Sequence, residues 1–397
     1  MARAGLLPTI QPGEYSRRRQ AVAAGMQAAG LDAICVFYPA RITYLTGFHH
    51  IPTERPIALI LGPKGSTLVV PAVEKEHAEA STSLEKIDVY FEYPGGEHPM
   101  ERVAAILNEL NAKPRRTGAD HNGYVPLWGY RGPTLSELTG QPPFDAEPII
   151  ESLRRIKSPA EIACIQLSCD WAGRAHRRMQ AAIATGRTEM ECYAPGVTET
   201  IEEMLHEMPG WRPRGFKGNG LTAMFVAGPS TAMPHGFVKG RGIQKGDVLV
   251  SGAGADIDGY LSELERTMIV GEPTADQERA FDAMLALQNR ALEVMAPGVP
   301  AGEVELATVR LAGELGMADN LRHHVGHSIG LEGHEAPFLD RGDEAVLEAG
   351  MVFTVEPGVY IKDLGGFRHS DTVLITDDGC RVMTDYPREL RDLIITR

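Results

Sequence analysis

Residues 251–267 read SGAGADIDGYLSELERT, and this stretch decides the architecture of the second half of the chain. Its small residues lack a helical apolar period, and Asp256-Ile257-Asp258-Gly259-Tyr260 carries the Asp and Gly that hairpin turns favour. Leu221 to Val270 therefore reads as strands joined by turns. Four further segments lie outward from it: Pro234-His235-Gly236; His323-His324-Val325-Gly326-His327 with His334-Glu335; Thr354-Val355-Glu356-Pro357-Gly358; and Phe367-Arg368-His369-Ser370-Asp371. Six of the 13 histidines fall in these segments, beside apolar runs such as MVFTVEP and VLITD. Loops held by a rigid sheet are where sites are commonly built, so the chemistry is expected here.

Helical signals frame the strands. Ser158-Pro159-Ala160-Glu161 combines an N-cap serine, a proline at the first helical position and a capping-box glutamate. The spacing predicts helix from there to about Met208, interrupted near Gly186 and Gly196, and again over Asp276–Ala296 and Ala301–Leu315. Ahead of this start the pattern alternates. A helix over Glu14–Gly30 precedes a strand over Leu31–Tyr38. A hairpin of IALILG and STLVVP, split by Pro63-Lys64-Gly65, precedes a helix over Met100–Ala112 and a strand beginning at RRTGAD. That alternation predicts an α/β domain with a mixed sheet. Two domains are expected, 1–156 and 157–397.

Composition narrows the function. The 397 residues carry 53 acidic and 39 basic side chains, a formal charge of −14. That sign works against nucleic-acid or acidic-membrane binding. The five cysteines (Cys35, Cys164, Cys169, Cys192 and Cys380) show no CxxC spacing, which fits a reducing compartment better than a disulfide framework. Pro8 and Pro12 interrupt the amino terminus before a signal-peptide core could form. A cytoplasmic enzyme is expected.

Taken in order, the five segments resemble the catalytic domain of the pita-bread family: aminopeptidase P, prolidase, methionine aminopeptidase and creatinase. Tyr44-Leu45-Thr46-Gly47-Phe48 resembles the amino-terminal domain of the prolidase and creatinase branches. The resemblance implies an α/β (α+β) chain, with a creatinase/prolidase-type α/β domain at 1–156 and a pita-bread catalytic domain at 157–397. The metallopeptidase branch holds two divalent ions through two Asp, one His and two Glu, because hard oxygen ligands suit paired ions that activate water. Carried over, the histidine falls on His327, the first glutamate on Glu356 and the second aspartate on Glu263. The first aspartate falls on Gly252 and the last glutamate on Ser370. With two carboxylates gone, a two-ion centre is not expected.

The creatinase branch works without metal, and its L-E-R-T segment is matched by Leu264-Glu265-Arg266-Thr267, where the peptidases usually carry Thr at the second place. The first expectation is therefore a creatinase-like hydrolase that cleaves a C–N bond of a small amidino, guanidino or amide compound without a cofactor. The resemblance implies His235, Glu265, Glu356 and His327 as catalytic residues. It implies Arg55, His323, His334, Glu263 and Arg368 as substrate-binding ones. Facing carboxylates suit a cationic substrate, His235 suits acid/base work, and Glu265 could instead attack directly, as the resemblance to ectoine hydrolase suggests. The substrate itself does not transfer, since Leu261 stands where creatinase has Tyr, and Arg368-His369-Ser370-Asp371 replaces its R-E-H-D.

Two alternatives stay open. One is a metal-dependent Xaa-Pro aminopeptidase or dipeptidase with a reduced site, in which Glu263, His327 and Glu356 hold one Mn, Co or Zn ion. The other is a non-catalytic pita-bread binding protein. Gly326-His327-Ser328-Ile329-Gly330 also fits the G-x-S-x-G elbow of serine hydrolases, but Leu331-Glu332-Gly333-His334 directly after it is a poor helix start. Partners are expected to be a small-molecule substrate and a second copy, since Arg55 matches an arginine that in creatinase enters the partner subunit's pocket.

Overall fold

The computed structural model describes residues 7–396 except 64, 83, 85, 93–95, 111, 126–128 and 215–219. Lys64, in the predicted hairpin turn, and the first six residues therefore lie outside the described residues. The chain divides into two compact units, one of Ile10–Arg154 and one of Arg155–Arg397 with Met1–Thr9.

In the first unit, helix Pro12–Ala28 ends just ahead of Gly30, whose φ of +68° is the left-handed conformation that a chain reversal after a helix needs. Six strands follow: β1 (Ala33–Val36), β2 (Ala58–Gly62), β3 (Gly65–Pro71), β4 (Lys86–Tyr90), β5 (Thr117–Ala119) and β6 (Phe144–Asp145). They form one mixed sheet in the order β4-β3-β2-β1-β5-β6. β1–β2 and β2–β3 are antiparallel, and the remaining pairs are parallel. The predicted hairpin is β2–β3, closed at Gly62 opposite Gly65. Cys35, Ile60, Val69, Met100, Val103 and Leu107 share the core between this sheet and helix Pro99–Glu109. The YLTGF segment ends helix Pro39–Thr46. Gly47 caps it at φ +78°, where a side chain would also strike the Tyr15 ring at 2.8 Å.

The second unit opens on the predicted cap. Ser158 accepts from Glu161 N–H, Glu161 reaches back to Ser158 N–H, and Pro159 begins helix Pro159–Ala182. A second helix, Glu189–Glu207, lies beyond Gly186. The predicted break at Gly196 is absent. Gly196 sits inside this second helix, and a Cβ there would lie 2.3 Å from Met179 Cγ, so the glycine serves close helix packing. Strands β7 (Leu221–Ala227), β8 (Val248–Ala255) and β9 (Leu264–Val270) come next, then helices Ala275–Val294 and Ala301–Glu314. The remaining strands are β10 (Gly326–Ser328), β11 (Glu335–Leu339), β12 (Val352–Val355), β13 (Gly358–Ile361), β14 (Gly365–Arg368), β15 (Asp371–Ile375), β16 (Cys380–Val382) and β17 (Ile394–Ile395).

One sheet runs β17-β9-β8-β7 and another β11-β10-β12-β15-β16, with β13–β14 as a separate hairpin. The two sheets are stitched where Glu265 N–H donates to Ser370 C=O (2.9 Å) and Ser370 N–H to Glu265 C=O (3.0 Å). Every residue of β8 and β9 is buried. The predicted turn is present: Asp258 takes φ +54°, and Asp256 Oδ1 accepts from Gly259 N–H. Beneath β10 and β12, Val325, Leu339, Phe353 and Val355 pack with Ala291, Ala301 and Val304 of the last two helices. The stitch therefore brings the strand ends that carry the unusual segments to one place.

Candidate metal centre

His327 lies in the middle of the short strand β10, fully buried, with its backbone N–H donating to Thr354 Oγ1 on β12 (3.1 Å). Its ring Nδ1 is 3.0 Å from Ser328 C=O, so that nitrogen carries the proton. The other nitrogen, Nε2, is buried and pairs with Glu356 Oε1 at 3.1 Å, the position at which an ion would replace the proton between them. Glu356 leaves the end of β12, anchored by its N–H to Val325 C=O (2.7 Å) and by Thr354 Oγ1 donating to Oε1 (3.2 Å). Glu263 enters from the start of β9. Its Oε1 accepts from Ser370 Oγ (2.7 Å) and its N–H donates to Thr372 Oγ1 (2.9 Å).

One ligand atom from each of Glu263, His327 and Glu356 lies within 4.8 Å of the others. The electrostatics show what the cluster lacks. Burial, and then the charges of Glu356 and Glu265, push the Glu263 carboxyl up to about 8. Burial works the same way on Glu356, but the His327 contact and the Arg368 charge outweigh it and hold that carboxyl at about 2. Burial opposes charge on His327 as well, yet Glu356 and Glu263 raise its pKa. Facing carboxylates drive their ionisations apart when no cation lies between them. An imidazole nitrogen facing two such carboxylates is a donor set that suits one divalent ion with an open position. The residues fit one ion.

They do not fit two. Gly252 pairs with Glu265 across β8 and β9, and a Cβ on Gly252 would lie 2.7 Å from Glu265 Cγ. The space an aspartate would need is filled by Glu265. Ser370, the other missing ligand, is spent on Glu263. Glu265 itself is buried and held by Arg368, with Nε to Oε2 at 2.5 Å and Nη2 to Oε1 at 2.9 Å. Arg266, its neighbour, instead pairs with Asp371 (2.8 Å).

The structure brings some of the other predicted residues to this cluster and leaves others apart. His334 stacks on His327, ring centroids 3.7 Å apart and 17° from parallel. Partial burial, then the charge of His327, keeps its pKa low. His323 Nδ1 contacts His324 C=O and its Nε2 lies 2.8 Å from Tyr360 Oη, which in turn accepts from Arg368 Nη1 (3.3 Å). Burial lowers the His323 pKa, consistent with a neutral ring that accepts from the tyrosine. His235 stands exposed on the loop after Gly228–Ala232, and Arg368 Nη1 holds that loop through Pro234 C=O (3.2 Å). Arg55 lies in the amino-terminal unit, with Nη1 2.8 Å from Glu54 and Nε 3.0 Å from Glu92. Ser328 is no nucleophile elbow. It is fully buried, and a turn and strand β11 come after it in place of a helix.

Sequence reasoning missed two pairings. Lys157 Nζ donates to Ser328 Oγ (2.9 Å) and Glu335 Oε2 (3.1 Å) across more than 170 residues, and no local pattern announces that. The Arg368–Glu265 pair did leave a trace, because Gly252 and Glu265 change together across one ladder rung.

A mixed-sheet α/β unit and a pita-bread unit with this donor set define a pita-bread hydrolase. The pattern of metallopeptidase family M24 matches residues 163–377, and that of the creatinase/prolidase N-terminal domain matches 18–156. The chain belongs to metallopeptidase family M24 and is a hydrolase acting on C–N bonds. It is 30% identical over 382 residues to the "Probable dipeptidase PepE" of Mycobacterium tuberculosis (strain H37Rv), covering 95% of this chain and 96% of that one. It is 29% identical over 365 residues to the Xaa-Pro dipeptidase of Pyrococcus horikoshii, covering 92% and 96%. The crystal structure of dipeptidase PepE from Mycobacterium ulcerans matches with a TM-score of 0.83 at 28% identity, covering 98% and 100%.

These relatives correct two expectations. The metal-free, creatinase-like amidinohydrolase read from Leu264-Glu265-Arg266-Thr267 is overturned, because the likeness over nearly the whole chain is to dipeptidases. The expectation of no cofactor falls with it, since the family is one of metallopeptidases and Glu263, His327 and Glu356 form a donor set. Glu265, which the creatinase-like reading assigns to catalysis on a cationic substrate, is instead paired with the internal guanidinium of Arg368.

Proposed function

We propose that the protein is a divalent-metal-dependent dipeptidase that prefers an Xaa-Pro bond. One observation carries the metal half of this reading: the buried His327 Nε2 faces the Glu263 and Glu356 carboxylates, with one ligand atom of each residue within 4.8 Å of the others. The names of the full-length relatives support the substrate half.

Glu263, His327 and Glu356 would hold one Mn, Co or Zn ion, which supplies Lewis-acid polarisation and an activated water when bound. His235, exposed on its loop, would hand a proton to the leaving nitrogen. His334 orients His327 by stacking, and neutral His323 fixes Tyr360. Glu265 and Arg368 neutralise each other beside Glu356.

The substrate is a small peptide, and the working unit is a homodimer in which Arg55 of the partner subunit closes the pocket on the substrate's carboxylate. Arg55 serves this only when Glu54 and Glu92 release it. Residues 1–156 form the amino-terminal module and 157–397 the catalytic one. A cytoplasmic location is supported by five free cysteines. No helix among the described residues is long and apolar enough to cross a membrane.

The test is hydrolysis of Met-Pro against Met-Ala by chelator-treated protein reloaded with Mn²⁺, Co²⁺ or Zn²⁺. Metal-dependent release of proline, lost again on chelation, is expected. A protein that binds the metal yet leaves both dipeptides intact would overturn the reading.

A further inference from the structure

The side chain of His235 is exposed, yet the loop that carries it is tied down along its length. Residues 228–238 leave the end of β7 at Ala227 and return at Lys239 and Gly240. Inside the loop, Thr231 is buried, and its Oγ1 accepts from Gly366 N–H on β14 (3.0 Å). Pro234 C=O takes Arg368 Nη1 (3.2 Å), and Gly236 N–H donates to Met233 C=O (2.9 Å). A Cβ on Gly236 would lie 2.3 Å from the Ser230 carbonyl oxygen, so the turn closes tightly around the histidine. The residues on either side of His235 are therefore fixed in the backbone, while its ring remains exposed.

Both feet of this loop rest on one carboxylate. Glu189, the first residue of helix Glu189–Glu207, is fully buried. Its Oε1 accepts from Ala227 N–H (3.0 Å) at the outgoing foot. Its Oε2 accepts from Lys239 N–H (2.8 Å) and Gly240 N–H (2.9 Å) at the returning foot. Burying a charge is costly unless hydrogen bonds replace its water, and here three backbone donors and the positive end of a helix do so. The helix start does not need this group, because its capping box is made by Thr188 and Glu191. Only a side chain with two acceptor oxygens serves both feet; an amide would turn its NH₂ toward one of them.

We propose that Glu189 is a positioning residue for His235, its carboxylate clamping the two ends of the loop so that the imidazole is presented at one place. The inference rests on the reading of His235 as the donor of a proton to the leaving nitrogen, and adds the buried group that holds it there. A general acid must meet the leaving atom within hydrogen-bond reach, and a misplacement of about 1 Å can cost about 10²-fold in rate. Glu189 touches neither substrate nor ion in this scheme and acts only through the loop.

Glu189→Gln keeps the size of the side chain and disables one foot. Hydrogen–deuterium exchange read at the Ala227, Lys239 and Gly240 amides should be about tenfold faster at one foot of the variant, with β10 and β12 unchanged. With Met-Pro as substrate, kcat should fall about 10- to 10²-fold while KM stays within about twofold. In a His235→Ala background the same substitution should lower kcat no further, because the residue through which it acts is gone. Glu189→Asp, which keeps both oxygens on a shorter arm, should recover part of the rate, and it carries the same comparisons should the Gln variant fold poorly. Unchanged exchange in a folded variant would overturn the proposal, since the feet would not depend on Glu189. So would a kcat loss repeated in full in the His235→Ala background, which would place its action elsewhere, or faster exchange with an unaltered kcat. A parent protein that binds metal yet cleaves neither Met-Pro nor Met-Ala would remove the dipeptidase reading and the kinetic half with it, while the exchange result would still decide the clamp.

Discussion

Lys157 shows how much of the site depends on a single residue outside it. Its side chain is 1% exposed and its ammonium bridges Ser328 and Glu335, which is 3% exposed. Ser328 follows the candidate ligand His327, and its carbonyl accepts a hydrogen bond from His327 Nδ1–H. Replacing Lys157 by Met strips a buried carboxylate of this cation, which typically costs about 3–5 kcal/mol. Urea unfolding of Lys157→Met should show a loss of that size, with Glu335→Gln in the same background recovering part of it. A loss under about 1 kcal/mol, the scale of an exposed pair, would mean the bridge contributes little. The sequence announced residues that act near their own turn, such as His327, Glu356 and the Ser158 cap. It could not announce Lys157, whose partners come from 171 and 178 residues away. The misreading of Glu265 has the same origin, since its meaning depends on Arg368 103 residues downstream.

At the scale of elements, helix ends were the most legible features, because caps are local chemistry. Ser158, Thr188 and Thr274 each carry a reciprocal capping box. Strand β10 is three residues long and its register with β11 shifts after His327, so only its neighbours define it. One such neighbour is Glu305 on helix Ala301–Glu314, whose Oε2 accepts from Val325 N–H (2.9 Å), while Val325 C=O holds Glu356. Burial lifts the Glu305 carboxyl from 4.5 to about 7. Between those values the folded chain holds a proton that the unfolded chain has released. Stability from this group therefore falls as pH rises through that window. Glu305→Gln keeps the oxygen acceptor and removes the titration. Its melting temperature relative to the parent should rise between pH 5 and pH 8 in thermal scans. An offset that stays constant with pH would show that Glu305 does not titrate there.

For the whole molecule, the order of segments carried the fold, because pita-bread geometry requires distant strands to deliver their residues in fixed sequence. What the order left open was whether one chain suffices. Arg55 sits in the amino-terminal unit, partly exposed and held by Glu54 and Glu92, whereas the donor set lies in the other unit. A dipeptide brings a free carboxylate to a centre already crowded with carboxylates, and an arginine's planar fork can hold that group by two hydrogen bonds. If a second copy supplies the arginine, a chain lacking Arg55 and a chain lacking His235 fail for different reasons and can repair each other. Each variant alone should be inactive, with His235→Ala down about 10²- to 10⁴-fold as expected for a lost general acid/base. In a twofold dimer, co-expressed chains pair at random, half the dimers are mixed, and each mixed dimer has one intact site, giving roughly a quarter of parental activity. The measurement is Xaa-Pro hydrolysis by the purified mixture, beside its mass by light scattering. Recovery near a quarter in a dimer supports Arg55 in the partner's site; no recovery, or a monomer in solution, would mean that no site is shared between chains.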